Sequence, residues 1–409
     1  MEHRKYLIVG GGLAADAAVR GIRELDRHGS ILVVSDEGDP PYDRPPLSKA
    51  LWKGAAVDTI WCRTETANAE LRLRTSIVAL DRGGKTATDS TGNVVSYDKL
   101  LLATGGSPRL LRDANSSVIY FRRLCDFNRA WQSAGKGAEF AVIGGGFIGS
   151  EIAAALAMKG RKVSLIFASD CIGDRVYPRP LAHFLNVYFR QHGVDVRFNQ
   201  QVEVVEGCED KLVIRTNDHT RIMADTVIAG IGIIPNIGLA SAAGLDVGDG
   251  ITVDESLRTS DPNIFAAGDV ANFPCRALKR RLRFEHEDNA RAMGRTAGRN
   301  MAGATDTYRH LPFFYSDLFD ISYEAVGEID SSMVIIEDWV ETFRKGVIYY
   351  LRNNHVRGVL LWNTWSRLDA ARELILSAQE HEVNSLVGRL RDNVERTGQG
   401  ASAVQKNRL

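Results

Sequence analysis

The stretch that decides the fold is residues 5–15, KYLIVGGGLAA, in which a short apolar strand runs directly into three glycines. A helical pattern continues from there to about Arg27, and a second apolar strand follows at Ile31–Val34. This order is the start of a βαβ unit. Glycines at such a turn let the backbone approach a pyrophosphate, which the helix N-terminus can then hold.

The same pattern returns at residues 138–149, AEFAVIGGGFIG, followed by another helix and a strand from Lys162 to Phe167. Two copies in matching context predict two Rossmann-like nucleotide-binding domains, one for FAD and one for NAD(P)H. The residues predicted to line the two turns are Gly10, Gly12, Ala14 and Ala15 in the first copy and Gly144, Gly146, Phe147 and Ile148 in the second.

Each copy also has an acidic residue after its second strand, where a carboxylate can accept a hydrogen bond from a ribose hydroxyl. Asp36 and Asp170 stand at the same spacing after Gly10 and Gly144. The alternative is that either is a solvated strand-end carboxylate. For Asp170, Ser169 competes for the position and Arg175 could take a 2′-phosphate, so NADH is favoured over NADPH without excluding it.

Three further segments support two working sites rather than one. Two apolar strands end in small residues, one before Ala103-Thr104-Gly105 and one before Gly232. A third strand ends in Gly268-Asp269, where the acid could accept from a sugar-alcohol hydroxyl such as the ribityl chain of a flavin. These residues are predicted to complete the cofactor sites.

Composition excludes several classes of protein. Lys plus Arg and Asp plus Glu number 51 each in 409 residues, so no global field recruits nucleic acid. No apolar run approaches the roughly 18 to 20 residues needed to span a bilayer. The five cysteines lack metal or redox spacing, so no metal site is predicted, and with no room for a targeting segment before the first strand a reduced cytoplasmic protein is expected.

The composition changes after about residue 305, where aromatic segments replace the glycine-rich pattern. Residues 347–351 and 356–362 flank Arg352-Asn-Asn-His355, which predicts a hairpin within a C-terminal α+β domain. The predicted fold class is therefore α/β, with two Rossmann-like domains plus this domain, and a polar tail from about Arg391. The predicted boundaries are 1–121 with 248–305 for FAD, 122–247 for NAD(P)H, and 306–409.

Several longer motifs resemble those of the FAD/NAD(P)H pyridine-nucleotide oxidoreductases, especially apoptosis-inducing factor and the oxygenase-coupled ferredoxin reductases. They include PYDRPPLSK (41–49), ATGGSPR (103–109), GGGFIGSE (144–151), FEHEDN (284–289) and VLLWN (359–363). The resemblance runs from Tyr6 to about Glu382. The paired cysteines of the disulfide reductases are absent from residues 40–53, which argues against an internal dithiol.

The resemblance implies roles for further residues. Contacts to FAD would come from Arg44, Lys49, Arg109, Asp269, Glu285 and His286. Lys49 would pair with Glu151 near the reactive edge of the flavin, Phe147 would cover the ring where nicotinamide enters, and His286 with Trp362 would complete the pocket wall.

Each of these roles has a simpler alternative. Lys49 and Glu151 could be two separate surface charges, and Phe147 could be mere packing. His286 could be a structural histidine paired with the flanking Glu285 or Glu287, and Trp362 would be a core residue by default. The basic run 279–283 is either solvated surface, a docking site for an acidic carrier such as a ferredoxin, or a subunit contact.

The predicted function is an FAD-dependent NAD(P)H oxidoreductase. Hydride passes from the nicotinamide to the flavin, and electrons leave to an external acceptor such as a ferredoxin or quinone. The alternative is a flavoprotein like apoptosis-inducing factor, which oxidises NADH slowly and whose main role is a redox-switched interaction or oligomerisation. A homodimer is a possible assembly.

Overall fold

The computed structural model describes residues 1–391, which form two compact units, each assembled from separate stretches of chain. The predicted polar tail beyond Arg391 lies outside the described residues. The first unit comprises Met1–Pro45, Ile60–Arg109 and Gly232–Phe314, and the second comprises Pro46–Thr59, Leu110–Ile231 and Tyr315 onward. The predicted boundaries of three domains stay a prediction.

Strands and helices are numbered in chain order. Through residue 120 they are β1 (Glu2–Val9), α1 (Leu13–Leu25), β2 (Ile31–Val34), β3 (Glu70–Arg72), β4 (Ile77–Asp81), β5 (Thr86–Asp89), β6 (Val94–Leu102), β7 (Gly106–Pro108), β8 (Asp113–Ala114) and β9 (Ile119–Tyr120). Four short 3-10 helices lie between β2 and β3, at Pro45–Ser48, Ala50–Lys53, Val57–Ile60 and Thr64–Ala67.

The middle of the chain contains α2 (Leu124–Gly135), β10 (Phe140–Ile143), α3 (Phe147–Met158), β11 (Val163–Ile166), α4 (Arg179–Gln191), β12 (Val194–Arg197), β13 (Val202–Cys208), β14 (Lys211–Thr216), β15 (Arg221–Ala224), β16 (Thr226–Ala229), β17 (Ile233–Pro235), α5 (Gly238–Ala242), β18 (Val247–Gly248) and β19 (Gly250–Thr252). The remainder contains β20 (Ile264–Ala266), β21 (Ala271–Cys275), β22 (Arg280–Leu282), α6 (Glu287–Met301), β23 (Phe313–Leu318), β24 (Ile321–Gly327), β25 (Val334–Glu341), β26 (Lys345–Arg352), β27 (His355–Trp362), α7 (Leu368–Leu376) and α8 (Val383–Leu386).

The first unit is built on a seven-stranded sheet of order β3-β2-β1-β6-β5-β4, with β20 also pairing with β6. The pairs from β3 through β6, and the pair of β20 with β6, are parallel. The last four residues of β1 and all of β2 are buried, as expected for strands covered on both faces. The first glycine-rich turn therefore lies at the carboxyl end of a central parallel strand.

Helices α1 and α6 of the first unit pack with their backbones in contact. A Cβ atom added at Gly294 would lie 2.2 Å from the carbonyl oxygen of Ala14, and one at Gly298 would lie 2.1 Å from that of Ala18. Glycine permits this approach because it has no side chain to displace the neighbouring helix. The contact holds α6 against the helix that follows the first turn.

The second unit repeats the arrangement in a parallel sheet of order β12-β11-β10-β16-β9. Strands β10 and β16 are buried at every position. The second glycine-rich turn joins β10 to α3, so the two turns have equivalent places in their sheets. The predicted Rossmann-like folds are confirmed at both turns.

The C-terminal part of the described chain contains an antiparallel sheet of order β23-β24-β27-β26-β25, with α7 against β24 and β27. The predicted hairpin is confirmed, because Arg352 pairs with His355 and the two asparagines between them have positive φ angles of 51° and 59°. That backbone conformation suits a tight two-residue hairpin turn. Among the helices of residues 1–391, none is both long and apolar enough to cross a membrane.

Candidate functional site

The first turn is closed against the strand end that follows β6. Gly10 has a φ angle of +116°, and a Cβ atom there would lie 2.1 Å from the carbonyl oxygen of Ala103. Gly268 lies on the other side, where a Cβ atom would meet that of Ala14 at 3.0 Å. Three segments that the sequence predicted to share the FAD site thus meet in the first unit.

Both turns have room and donors for a phosphate. A Cβ atom at Gly12 or at Gly146 would have no other atom within 4 Å. These two glycines are the N-caps of α1 and α3, and within residues 1–391 no side chain caps either helix. Backbone N–H groups at each N-terminus are therefore available to an anion, which fits the diphosphate of a dinucleotide.

The two acids after β2 have different surroundings. Asp36 is exposed, whereas its neighbour Glu37 is partly buried and accepts a hydrogen bond of 2.8 Å from the Tyr42 hydroxyl. Glu37 also forms an ion pair with Arg44. Asp36 as a ribose acceptor stays a prediction, and Glu37 is a second carboxylate at the same strand end that the spacing argument missed.

Arg44 is a partly buried cation in the first unit, with its side chain 25% exposed. Burial by itself lowers the pKa of its guanidinium, but Tyr42, Glu37 and Asp269 outweigh that effect, so that the net pKa is raised. Asp269 is thus close enough to Arg44 to interact electrostatically with it. The sequence placed both residues in the FAD site from distant motifs, and the structure brings them together.

The second turn is tighter than the first. Gly144 also has a φ angle of +116°, and a Cβ atom there would lie 2.4 Å from the carbonyl oxygen of Gly230. A Cβ atom at Gly149 would lie 1.9 Å from the carbonyl oxygen of Gly144. Ala15 stands at the position of Gly149 in the first turn, so only the second turn requires glycine there.

Gly232, which the sequence grouped with the NAD(P)H site, lies in the first unit. Its carbonyl accepts from the backbone N–H of Arg109 at 2.9 Å, where β17 pairs with β7. Thr104 is joined to the same segment, because its hydroxyl donates to the carbonyl of Asn236. A role for Gly232 in NAD(P)H binding stays a prediction, and Gly230 is the glycine that lies on the second turn.

Asp170, after β11, is surrounded by three polar groups. Arg179 donates to Asp170 Oδ2 at 2.9 Å, and His183 Nε2 lies 3.7 Å from the same oxygen. The buried Cys171 thiol donates to Asp170 Oδ1 at 3.2 Å and, with Arg179 and His183, lowers the pKa of Asp170. Arg179 is the cation beside this carboxylate, and a role for Arg175 at a 2′-phosphate stays a prediction.

Lys49 and Glu151 form a buried ion pair within the second unit. Lys49 Nζ lies 2.7 Å from Glu151 Oε2, and the two side chains are only 10% and 2% exposed. Two serine hydroxyls that the sequence analysis missed also donate to this carboxylate, Ser48 to Oε2 at 2.5 Å and Ser316 to Oε1 at 2.6 Å. The predicted pair is confirmed as a contact, and the alternative of two surface charges is wrong.

Other predicted residues of the second turn open onto solvent. Phe147 is the first residue of α3 and is partly exposed, and the next residue, Ile148, is 38% exposed. Tyr315 lies beside the Lys49–Glu151 ion pair, with its ring centroid 5.1 Å from Lys49 Nζ. A gating role for Phe147 stays a prediction.

His286 is the N-cap residue of α6, and its ring stacks on Phe314 with a centroid distance of 4.4 Å. The flanking acids have arginine partners: Arg283 donates to Glu285 at 2.6 Å and Arg291 donates to Glu287 at 2.9 Å. His286 thus has an aromatic neighbour, and contact of His286 and Glu285 with a cofactor stays a prediction.

Trp362 is fully buried in the C-terminal sheet. It stacks on Tyr323 at 5.2 Å between ring centroids, with an interplanar angle of 9°, and it donates to the carbonyl of Phe343. This is the core position that the simpler reading expected. Its participation in a pocket wall stays a prediction.

Some side chains of the basic run 279–283 are bonded to other residues of the first unit. Arg281 donates to the carbonyl of Val253 at 2.6 Å, and Arg283 forms an ion pair with Asp249 at 2.8 Å. Lys279 and Arg280 are exposed. Arg281 is exposed as well, so three side chains of this run are exposed.

Two family models together match nearly the whole described chain. The model described as "Pyridine nucleotide-disulphide oxidoreductase" matches residues 4–294. The model described as "Apoptosis-inducing factor, mitochondrion-associated, C-term" matches residues 297–341 and 336–377. The chain is 34% identical over 394 residues to putidaredoxin reductase CamA of Pseudomonas putida, covering 93% of each protein. It is 32% identical over 427 residues to mitochondrial apoptosis-inducing factor 1 of Dictyostelium discoideum, covering 93% of this chain and 80% of that protein.

Solved structures have the same fold. The covalent putidaredoxin reductase–putidaredoxin complex matches with a TM-score of 0.89 and 32% identity, covering 97% of each chain. The ferredoxin reductase for the CYP199A2 system of Rhodopseudomonas palustris matches with a TM-score of 0.86 and 27% identity, covering 94% of this chain and 96% of that one. The predicted fold class and family resemblance are both confirmed.

Proposed function

Because the chain belongs to the pyridine nucleotide-disulphide oxidoreductase family, we propose that it takes hydride from NADH and delivers electrons to a ferredoxin-type carrier. The chain is an oxidoreductase that uses FAD and NAD(P)H. The observation that carries the proposal is the buried Lys49–Glu151 pair beside the second glycine-rich turn. Both charges are costly to bury, and a cation held there suits a flavin that becomes anionic on reduction.

FAD, when bound, would supply the hydride-accepting chemistry. The first turn would hold its diphosphate on the N-terminus of α1, with Arg44 and Asp269 beside it. The second turn would hold the nicotinamide nucleotide on α3, and Asp170 would accept from the adenosine ribose. Phe147 would exclude water from the site in the absence of nucleotide, and it would then move aside to admit the nicotinamide. Lys49 would be held in place by Glu151, whose Oε2 lies 2.7 Å from its Nζ.

The exit route favours a protein carrier over an internal dithiol. Residues 40–53 contain no cysteine, so the electrons have no disulfide to reduce there. The solved structure that matches this chain with a TM-score of 0.89 is a covalent complex of putidaredoxin reductase with putidaredoxin. Lys279 and Arg280 offer exposed positive charge to an acidic carrier, which would make the encounter rate sensitive to salt.

The experiment is anaerobic mixing of the purified yellow protein with NADH or NADPH, followed by addition of an oxidised ferredoxin. We expect the flavin absorbance to be bleached on mixing with NADH and to be restored when the oxidised ferredoxin is added. A flavin that stays oxidised with both nucleotides contradicts the hydride step. Bleaching without reoxidation by ferredoxins, but with reoxidation by a quinone, contradicts only the proposed acceptor.

Nucleotide choice provides a prediction at Asp170. Asp170→Asn is expected to raise the KM for NADH about tenfold, because a charge-assisted bond to the ribose is lost. It should lower the KM for NADPH, because a negative charge is removed while Arg179 becomes available to a 2′-phosphate. Steady-state kinetics with both nucleotides measures this. Asp195→Asn is the control, since Asp195 is an exposed acid on the neighbouring strand β12 that bonds Arg197; equal effects of the two variants would contradict the assignment.

A second function is favoured by one observation, the match of residues 297–377 to the C-terminal model of apoptosis-inducing factor. In that case NADH would react slowly and would alter assembly rather than sustain turnover. Size-exclusion chromatography with and without NADH separates the two functions. An elution volume that changes with NADH, together with slow turnover on every carrier, favours the second. The same measurement tests the predicted homodimer, and fractionation of cells tests the predicted cytoplasmic location.

A further inference from the structure

Three side chains of types that bind metals converge after β11 in the second unit. Cys171 Sγ lies 3.2 Å from Asp170 Oδ1, and His183 Nε2 lies 3.7 Å from Asp170 Oδ2. One ligand atom from each of the three residues lies within 4.8 Å of the others. We refer to these residues as the Cys171 cluster. Tetrahedral zinc holds its ligand atoms roughly 3.4 to 3.6 Å apart, so small side-chain movements would bring all three onto one ion.

The chain around Cys171 is held by the buried Asn186 of α4. The Asn186 side chain donates to the carbonyl of Asp170 at 2.8 Å and accepts from the N–H of Ile172 at 3.0 Å. It therefore bonds the backbone on both sides of Cys171. His183 lies three residues earlier on the same helix and so on the same face. One helix thus positions both the imidazole and the loop that carries the thiol and the carboxylate, an arrangement that cysteine spacing could not indicate.

A side-chain cation already lies against two of the three ligand atoms. Arg179 donates to His183 Nε2 at 3.4 Å and to Asp170 Oδ2 at 2.9 Å. The imidazole nitrogen beside the carboxylate is therefore an acceptor, as a metal ligand must be. The Arg179 side chain is 78% exposed, so it can move into solvent at little cost, because exposed ion pairs contribute little to stability.

We propose that the Cys171 cluster binds Zn²⁺ and that the bound ion prevents NADH from binding. The second half of this inference rests on the proposed function, in which Asp170 accepts from the adenosine ribose. Thiolate, imidazole and carboxylate are ligands that suit Zn²⁺, whereas Mg²⁺ takes oxygen ligands. Binding forms a Zn–S bond and releases to solvent the thiol proton that Cys171 otherwise donates to Asp170. A water molecule would complete the tetrahedron.

The Cys171 cluster is joined to the second glycine-rich turn. The N–H of Gly173, two residues after Cys171, donates to the carbonyl of Gly145 at 2.9 Å. A metal ion held by Asp170 would therefore lie beside the turn assigned to the diphosphate, and it would take the carboxylate away from the ribose. Zn²⁺ and NADH would then exclude each other, so each would lower the apparent affinity for the other.

The first test is equilibrium dialysis of the FAD-loaded protein against Zn²⁺ without nucleotide, followed by X-ray absorption at the zinc edge. We expect one strongly held ion per chain, with a single sulfur neighbour at about 2.3 Å. Cys171→Ser should lose that sulfur neighbour and bind Zn²⁺ roughly 100-fold more weakly, and His183→Gln should bind it about tenfold more weakly. Because the His183 side chain is 48% exposed, its replacement leaves the core intact, which keeps the test valid if Cys171→Ser fails to fold.

Two further variants separate the Cys171 cluster from other zinc-binding groups on the surface. Cys208→Ser removes an exposed thiol of the same unit and should bind Zn²⁺ like the wild type. Arg179→Gln should bind Zn²⁺ about threefold more tightly, because a competing cation is removed. Zinc held without a sulfur neighbour, or held equally by the wild type and by both Cys171→Ser and His183→Gln, would overturn the proposal.

Steady-state kinetics with NADH supplies the second test. The KM for NADH should rise in proportion to free Zn²⁺ above its Kd with kcat unchanged, and it should recover when EDTA is added. Mg²⁺ should have no effect, and His183→Gln should need about tenfold more Zn²⁺ for the same rise. Zinc bound through sulfur with an unchanged KM would overturn the exclusion of NADH. A flavin that NADH fails to reduce contradicts the proposed function alone, since dialysis and X-ray absorption use no nucleotide.

Discussion

Glu151→Gln is expected to lower the free energy of unfolding by about 3 kcal/mol, because it leaves the Lys49 ammonium buried without a counter-charge. Glutamine can still bond Ser48 and Ser316, so the loss reports the missing charge more than missing hydrogen bonds. Denaturant unfolding followed by fluorescence measures it. NADH-driven reduction of the flavin should slow in the same variant, since Lys49 would no longer be held in one place.

An exposed ion pair in the same unit supplies the comparison. Lys162 and Glu139 lie 2.8 Å apart, like Lys49 and Glu151, but Lys162 is 84% exposed. Glu139→Gln should leave the unfolding free energy nearly unchanged, because solvent screens that pair. In the double variant Lys49→Met with Glu151→Leu, stability should partly return while flavin reduction stays slow. If Glu151→Gln unfolds like Glu139→Gln, the pair is not buried as described.

Gly149→Ala is expected to weaken NADH binding about 100-fold while leaving the flavin content unchanged. The added methyl group would meet the Gly144 carbonyl at 1.9 Å and push open the second turn, and a displacement of about 1 Å at such a site can cost two orders of magnitude. The first turn lies in the other unit and is untouched. Titration with NADH, read by flavin absorbance and by fluorescence, gives both quantities.

Two other glycines of the second unit provide control variants for this prediction. Gly135→Ala, at the end of α2, should bind NADH normally, since a Cβ atom there has nothing within 4 Å. A Cβ atom at Gly146 also has nothing within 4 Å, yet Gly146→Val should block NADH, because its side chain would fill the space assigned to phosphate. Normal binding by Gly146→Val would show that the nucleotide lies elsewhere.

The glycine-rich turns were predictable because their physical requirement is local. Gly10 and Gly144 must adopt a positive φ angle between a buried strand and a helix, and both neighbours can be read within a dozen residues. The hairpin at Asn353 and Asn354 was predictable for the same reason. The Lys49–Glu151 pair required the family resemblance, since nothing local links residues 102 apart in sequence.

The serine partners of Glu151 and the role of Glu37 were not predictable. Serine hydroxyls bond in any context, so Ser48 and Ser316 carry no spacing signal, and two distant stretches of chain bring them to Glu151. The acids Asp36 and Glu37 are adjacent, and only the position of Arg44 distinguishes them. Arg283 looked available in a basic run, whereas its partners Asp249 and Glu285 neutralise it. In each case the deciding neighbour is distant in sequence.

The contact of α1 with α6 determines how much of the chain must be synthesised before the first unit can complete its folding. Strand β6 needs β20, and the backbone of α1 at Ala14 and Ala18 needs Gly294 and Gly298, none of which has emerged when the first βαβ unit is complete. The nascent first unit therefore waits with an apolar helix face and a sheet position uncovered, a state that invites aggregation and chaperone binding. We expect chains released before about residue 301 to be captured by chaperones, and flavin to enter only after synthesis has passed that point.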